Sequence, residues 1–278
     1  MESDEMILAI DSSGLTASVA LSRDGIVIGE YSIHNKKTHS QTILPMIDEM
    51  LCMAAEKKHM ITAIAVASGP GSFTGLRIGA ATAKGLAQGW DVPVIPVPTL
   101  MGLAYNLQGT SDIVCPIMDA RRSQGYYGIF DVTGEVPLSP FFRGDEEDPF
   151  DAGCPVGDAN ASVQDCGSMT EGFRTVCQGV DSIEVIIERV INITGRTGRR
   201  PVFLGDGVPV FRNVILEKIP DAGFAPAHSM YQRASSVAVL GSIFFKQGKA
   251  LKAADFTPEY FRLSQAERER RENKALAE

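Results

Sequence analysis

Short apolar blocks separated by turn residues open the chain. Met6–Ile10, Thr16–Leu21 and Ile26–Ile33 read as three strands, with Arg23-Asp24-Gly25 as the hairpin turn between the last two, and they predict an antiparallel meander. The period then changes. Ile43, Leu44, Ile47, Met50 and Leu51 recur at helical spacing through Ser40–Ala55, with Pro45 in the first turn, where its missing donor matters little. A strand at Ile61–Ala67, a helix at Thr74–Gln88, a strand at Val92–Val97 and a short helix at Thr99–Leu107 complete a βββαβαβα order.

The second half repeats it. Strands are predicted at Ile113–Met118, at Gly125–Val132 after an Arg121-Arg122-Ser123 turn, and more weakly at Glu135–Arg143. A helix at Ser182–Ile193, a strand at Pro201–Leu204, a helix at Gly207–Lys218, a short strand at Phe224–Ala227 and an apolar helix at Ala234–Lys246 follow. Each half begins with a buried strand that ends in an aspartate, Asp11 and Asp119. Internal duplication predicts two similar α/β lobes facing one another across a cleft. The expected divisions are 1-109, 110-254 with an acidic, glycine-rich insertion at 144-169, and 255-278. The last of these holds an extended stretch with Phe256, Tyr260 and Phe261, and a Ser264-Gln265-Ala266-Glu267 capping box for a charged helix.

The stretch GPGSFTGLRIGAATAKGLAQG, residues 69–89, organises the first half. A small-residue loop joins a buried strand to a helix whose N-cap is Ser72 or Thr74. Along that helix Gly75, Gly79, Ala83 and Ala87 recur every four residues and leave one ridge nearly bare. A glycine inside a soluble helix costs about 1 kcal/mol against alanine, so the spacing predicts a close helix–helix contact that offsets the loss. Nucleotide motifs fit poorly. Position 74 is threonine where either a Walker loop counted from Gly69 or a G-x-G-x-x-G fingerprint needs glycine.

Net charge is −8 in 278 residues, which disfavours direct nucleic-acid binding by this chain alone. MESDEM at the start lacks the features of a secretory signal, and no apolar run reaches a membrane span. A cytoplasmic protein is expected. Cys52, Cys115, Cys154, Cys166 and Cys177 contain no Cys-x-x-Cys pair and suit reduced thiols.

Six segments in order, ILAIDSS at 7–13, HSQTILPMIDEML at 39–51, ASGPGSFTGLRIGAATAKGLA at 67–87, MDARRSQGYYGIF at 118–130, LGDGVPVF at 204–211 and PEYFRLSQAE at 258–267, resemble the TsaB (YeaZ) family. The resemblance implies a fold of two tandem ribonuclease H-like lobes of the actin-like ATPase (ASKHA) superfamily. It implies an accessory subunit for threonylcarbamoyladenosine synthesis in tRNA, which pairs with a TsaD-type catalytic subunit and works with a TsaE-type ATPase. Alone, the chain would pair with a second copy through the same helices; tRNA would be met only within the complex, and no membrane is involved. Together with the bare ridge, it places the partner interface at Leu44, Ile47, Phe73, Thr74, Gly75, Leu76, Gly79 and Ala83. The insertion at 144–169 and the tail after Glu267 depart from the family pattern.

No catalytic set and no metal site is expected. His34, His39, His59 and His228 include no pair four apart, the spacing with which the related catalytic subunit holds its metal, and this weighs against a metallopeptidase reading. Ser72 directly follows a glycine, unlike a nucleophile elbow. Asp11, Ser12 and Asp119 keep two readings open, strand-end capping or a vestigial nucleotide contact, so ATP or ADP is a candidate ligand although no cofactor is required. The rival function is a self-sufficient actin-fold ATPase or small-molecule kinase using the two aspartates.

Overall fold

The computed structural model describes residues 5–35, 38–133, 169–170 and 173–261. In the first half, β1 (Met6–Asp11), β2 (Thr16–Arg23) and β3 (Ile26–His34) form the meander. Asp24 and Gly25 turn the hairpin with φ of 50° and 80°. Then come α1 (His39–Met53), β4 (Ala63–Gly69), α2 (Phe73–Trp90), β5 (Val94–Pro98) and α3 (Thr99–Tyr105). The sheet order is β3-β2-β1-β4-β5, with β4 and β5 parallel to β1. Pro45 falls inside α1, beyond its first turn.

The second sheet repeats this plan. It is built from β6 (Ile113–Asp119), β7 (Gln124–Asp131), β8 (Met169–Thr170), β9 (Phe173–Ser182), β10 (Pro201–Leu204) and β11 (Gly223–Phe224), in the order β11-β10-β6-β7-β9-β8. Its helices are α4 (Ile183–Thr197) and α5 (Val208–Lys218), and α6 (Ala234–Lys246) closes the duplicated order. One assignment changes. The third strand of this lobe, antiparallel to β7, is Phe173–Ser182, to which the apolar pattern gave no element. Glu135–Arg143, most of the 144–169 insertion and the 264–267 capping box lie outside the described residues.

Three apolar layers hold the molecule, and the period of two along β1 decides who faces which. Met6, Leu8 and Ile10 meet Ile43, Met46, Ile47 and Met50 of α1 and Ala80, Ala83 and Ala87 of α2. Ile7 and Ala9 point the other way, into a central layer where Val237, Leu240 and Phe244 of α6 meet Val114, Met118, Phe130 and Leu204 of the second sheet. A third layer joins β6, β7 and β9 to α4 and α5. Although α6 belongs by order to the second repeat, it packs across β1 to β5 of the first sheet. The unit expected at 110-254 thus includes a helix that packs on the sheet of the first half.

Beyond α6 the chain straps back over the first lobe. Leu251 and Val94 exchange backbone hydrogen bonds of 2.8 Å, and Lys84 Nζ donates to the carbonyls of Ala254 and Phe256 at 3.1 and 2.9 Å. Phe256 is buried, and Tyr260 lies 5.0 Å from Phe73, ring to ring.

Candidate functional site

The parallel strands β1, β4, β6 and β10 direct their carboxyl ends toward one region, where ligand sites of α/β folds commonly form. The first lobe contributes the turn from Asp11 to Leu15. The Asp11 carboxylate accepts hydrogen bonds from the Ser13 amide at 2.9 Å and the Ser13 hydroxyl at 2.6 Å. Burial pushes its pKa up to about 6; the Ser13 hydrogen bonds and His39 pull against that rise, while Asp206 adds to it. Ser12 is buried and donates to the Gly75 carbonyl at 2.8 Å, so it faces α2 and not the cleft. The Ser13 carbonyl accepts from the Ser72 amide at 2.7 Å, and the Gly14 carbonyl accepts from His39 Nε2 at 2.8 Å.

The second lobe answers with Asp119 and Asp206. The Asp119 amide donates to Asp206 at 3.2 Å, while the Asp119 carboxylate takes the Arg121 amide at 2.8 Å. The Leu15 backbone of the first lobe lies near Asp206 and favours its ionised form. Burial pushes Asp206 up to about 6 against the pull of the Asp119 amide hydrogen bond, with the Asp119 charge adding to the rise and Arg121 opposing it. Arg121, Arg122 and Ser123 all adopt positive φ, a conformation that costs a non-glycine residue about 1–2 kcal/mol. Sequence reasoning singled out Asp11 and Asp119 but not Asp206, His39 or Gln232. The Gly205-Asp206-Gly207 turn directly after a strand was the available signal.

The seat is a poor fit for a nucleotide polyphosphate. Phosphate cradles need free backbone amides, yet the amides of Ser13, Asp119 and Arg121 are engaged by carboxylates of the chain itself. The end of the buried Gln232 side chain also fills the space beside Gly14, where an added Cβ would meet it. Among the described residues, no three His, Cys, Asp or Glu side chains come together as a metal-ligand group, and no helix is long and apolar enough to cross a membrane.

The expected partner surface divides in two. Ser72 caps α2 by accepting the Gly75 amide at 3.3 Å. The bare ridge itself faces inward: a Cβ on Gly75 would overlap the Ser12 carbonyl oxygen, and one on Gly79 would lie 2.5 Å from Ser12 Oγ. Leu76, Ala83 and Ile47 are buried with them. This corrects the reading of Ile47, Gly75, Leu76, Gly79 and Ala83 as partner contacts, because their close approach is made to the chain's own β1–β2 turn and sheet. Leu44, Phe73 and Thr74 are exposed, Leu44 by 52% and Phe73 by 39%. Next to them, Ala81, Gly85 and Gly89 form a second four-residue ridge on the outer side of α2, with open space around both glycines.

Comparison with known proteins agrees with this architecture. A family model described as "TsaD: tRNA N6-adenosine threonylcarbamoyltransferase" matches residues 27–138. A solved structure from Pseudomonas aeruginosa, described as an uncharacterized protein with similarity to peptidase YEAZ, superposes with a TM-score of 0.65 at 22% identity, covering 93% of this chain and all of that one. It shows the fold, the two duplicated α/β lobes described above. The tRNA threonylcarbamoyladenosine biosynthesis protein TsaB of Haemophilus influenzae is 41% identical over 127 residues, 44% of this chain and 52% of that protein. The protein of the same name from Bacillus subtilis is 31% identical over 263 residues, 94% of this chain and 96% of that protein. With a match that runs nearly end to end and a duplicated α/β fold beneath it, the chain belongs to the TsaB (YeaZ) family.

Proposed function

We propose that this chain is a non-catalytic subunit for threonylcarbamoyladenosine synthesis in tRNA, acting in the cytoplasm by docking a TsaD-type transferase on the outer face of α1 and α2. The observation that carries the reading is that face itself: Leu44 and Phe73 stand exposed beside Ala81, Gly85 and Gly89, where a foreign helix can lie close. Similarity to named TsaB proteins supplies the pathway, and the transferase-family match over 27–138 falls on the lobe that carries both helices. Related helices on the two proteins would pair about a pseudo-twofold axis, and in the partner's absence two copies of this chain would pair by the same faces. A TsaE-type ATPase and tRNA would join only the assembled complex, and no cofactor is held by this chain. The carboxylate-filled cleft disfavours the rival ATPase or kinase reading.

The test is co-purification with the transferase from the same organism, followed by light scattering. Leu44→Arg and Gly85→Trp should each weaken the complex at least tenfold, with the melting temperature of the free chain unchanged. Undiminished binding in both variants would refute the assigned face. ATP turnover by the chain alone, lost in Asp11→Ala, would favour the rival enzyme.

A further inference from the structure

A groove of about 470 Å³ runs between the carboxyl-terminal ends of α4 and α5, lined among others by Gly195, Gly198, Arg199, Arg200, Lys218 and Asp221. It sits at the amino end of β10, at the opposite end of the second sheet from Asp119 and Asp206. Its charge departs from that of the chain as a whole. Residues 196–200 hold three arginines and no acid in a chain of net charge −8, and three cations line the groove against one acid. We propose that this groove is a track for the phosphodiester backbone of RNA, with Arg200 and Lys218 as the cations that meet phosphate. The choice of RNA rests on the reading that the chain serves threonylcarbamoylation of tRNA.

Three observations support this. The first is that the helix ends do not use up these cations. A helix carboxyl terminus carries partial negative charge, and an Arg or Lys beside it ordinarily serves its last carbonyls. Here the Thr194 hydroxyl donates to the Val190 carbonyl at 2.9 Å, the Thr197 hydroxyl to that of Ile193 at 3.0 Å, and the Gly198 amide to that of Thr194 at 2.8 Å. The Ile219 amide closes α5 on the Ile215 carbonyl at 2.7 Å. Arg199 is committed within the fold, to the carbonyls of Ser111 and Asp112 and to the Asp131 carboxylate at 2.9 Å. Arg200 and Lys218 remain.

Second, those two cations are presented outward. Arg200 donates only its Nε, to the Asp221 carbonyl at 2.8 Å, and its guanidinium lies across Gly223, where an added Cβ would stand 2.9 Å from Nη2. The arginine is thereby oriented with its terminal nitrogens left over. Lys218 is exposed and makes no hydrogen bond or ion pair among the described residues.

Third, the shape suits a strand better than a small anion. Pockets for a single phosphate draw on convergent backbone amides at helix amino termini or turns, whereas both helices here present their other ends. A polyanion needs no such cradle, because its affinity comes from several cation contacts and the counterions they release. The floor is also bare: a Cβ on Gly195 or Gly198 would meet nothing within 4 Å, so a chain can lie close. Ile191, 44% exposed on the rim, offers an apolar surface beside the cations. Two contacts on an acidic chain are too few to hold RNA tightly by themselves, so the track acts within the assembled complex.

The test uses the complex with the transferase and a fluorescently labelled, unmodified tRNA transcript, titrated over a series of salt concentrations. Arg200→Glu and Lys218→Glu should each weaken tRNA binding at least fivefold and lower the slope of log affinity against log salt by about one or more. The melting temperature of the free chain and its affinity for the transferase should not change, because neither residue lies on the docking face. Lys252→Glu, the same change of net charge at an exposed site outside the groove, should leave tRNA binding within about twofold of wild type. If no complex forms with the wild-type chain, the docking reading fails, and the same variants compared on the free chain at low salt decide the groove. Undiminished tRNA affinity in both folded variants, or an equal loss in Lys252→Glu, would overturn the proposal. So would saturable binding of inorganic phosphate by the free chain that Lys218→Glu abolishes while tRNA affinity stays the same.

Discussion

The Ser12 hydroxyl donates to the Gly75 carbonyl at 2.8 Å, and the Gly75 Cα lies so close to the Ser12 backbone that no methyl group fits between them. This contact explains the glycines of α2 as features of the lobe's own packing, made where the β1–β2 turn rests on the helix.

Gly75 and Gly79 should therefore differ in their tolerance of alanine. At Gly75 the added carbon meets backbone, which cannot move aside; at Gly79 it meets the Ser12 hydroxyl, which can rotate by giving up its hydrogen bond to the Gly75 carbonyl. Gly75→Ala should lose about 2–4 kcal/mol in spite of alanine's better helix propensity, as overpacking against a fixed neighbour does. Gly79→Ala should lose less, about 1–2 kcal/mol, because the propensity gain offsets part of the lost Ser12 hydrogen bond. Urea unfolding of the two variants checks the order, and equal losses would contradict it.

The strap after α6 depends on Phe256, which is 1% exposed within the outer layer of the first lobe. Phe256→Ala should cost about 3–5 kcal/mol, the range for a large buried aromatic. It should also speed hydrogen exchange at the Leu251 and Glu259 amides, which bond the carbonyls of Val94 and Ser68 at 2.8 and 2.7 Å. Protection at those two amides is the measurement. Retention of it would mean that the strap is held by the Lys84 contacts and the Tyr260–Phe73 stack alone.

Glu30 gives a stability effect that depends on pH. Burial by itself would raise its pKa, but the Arg233 guanidinium and the amide and hydroxyl of Ser235 outweigh burial and hold the carboxyl below its ordinary value of 4.5. A depressed value means that the contribution is complete above the ordinary value and fades as pH falls through the lower, folded one. Glu30→Gln should cost about 1–3 kcal/mol at pH 7, with the gap to wild type narrowing below pH 4.5. Parallel denaturation series at pH 7, 5 and 3 would show this.

Much of the fold was legible because both periods are strong. Strict alternation on β1 sends Met6, Leu8 and Ile10 to one layer and Ile7 and Ala9 to the other, and the matching Asp11 and Asp119 ends reveal the duplication. The third strand of the second lobe was not legible. In Phe173–Ser182 polar residues interrupt the apolar ones, and its pairing with β7 is made across a long gap in sequence. At the cleft, Asp11 and Asp119 could be picked out as strand ends, whereas Asp206 gains its meaning from its buried place beside Asp119, whose amide it accepts.

The amino-acid order by itself determined the element types, the repeat and the presence of unusually bare helix ridges on α2. Only the tertiary structure decided which ridge is buried. Gly79 and Ala81 lie about 200° apart around the helix, so α2 is lined with small residues on opposite sides, and small residues say that something comes close without saying from where. The β1–β2 turn took the Gly75–Gly79 side. The Ala81–Gly85 side is left open because no other part of the described chain reaches it.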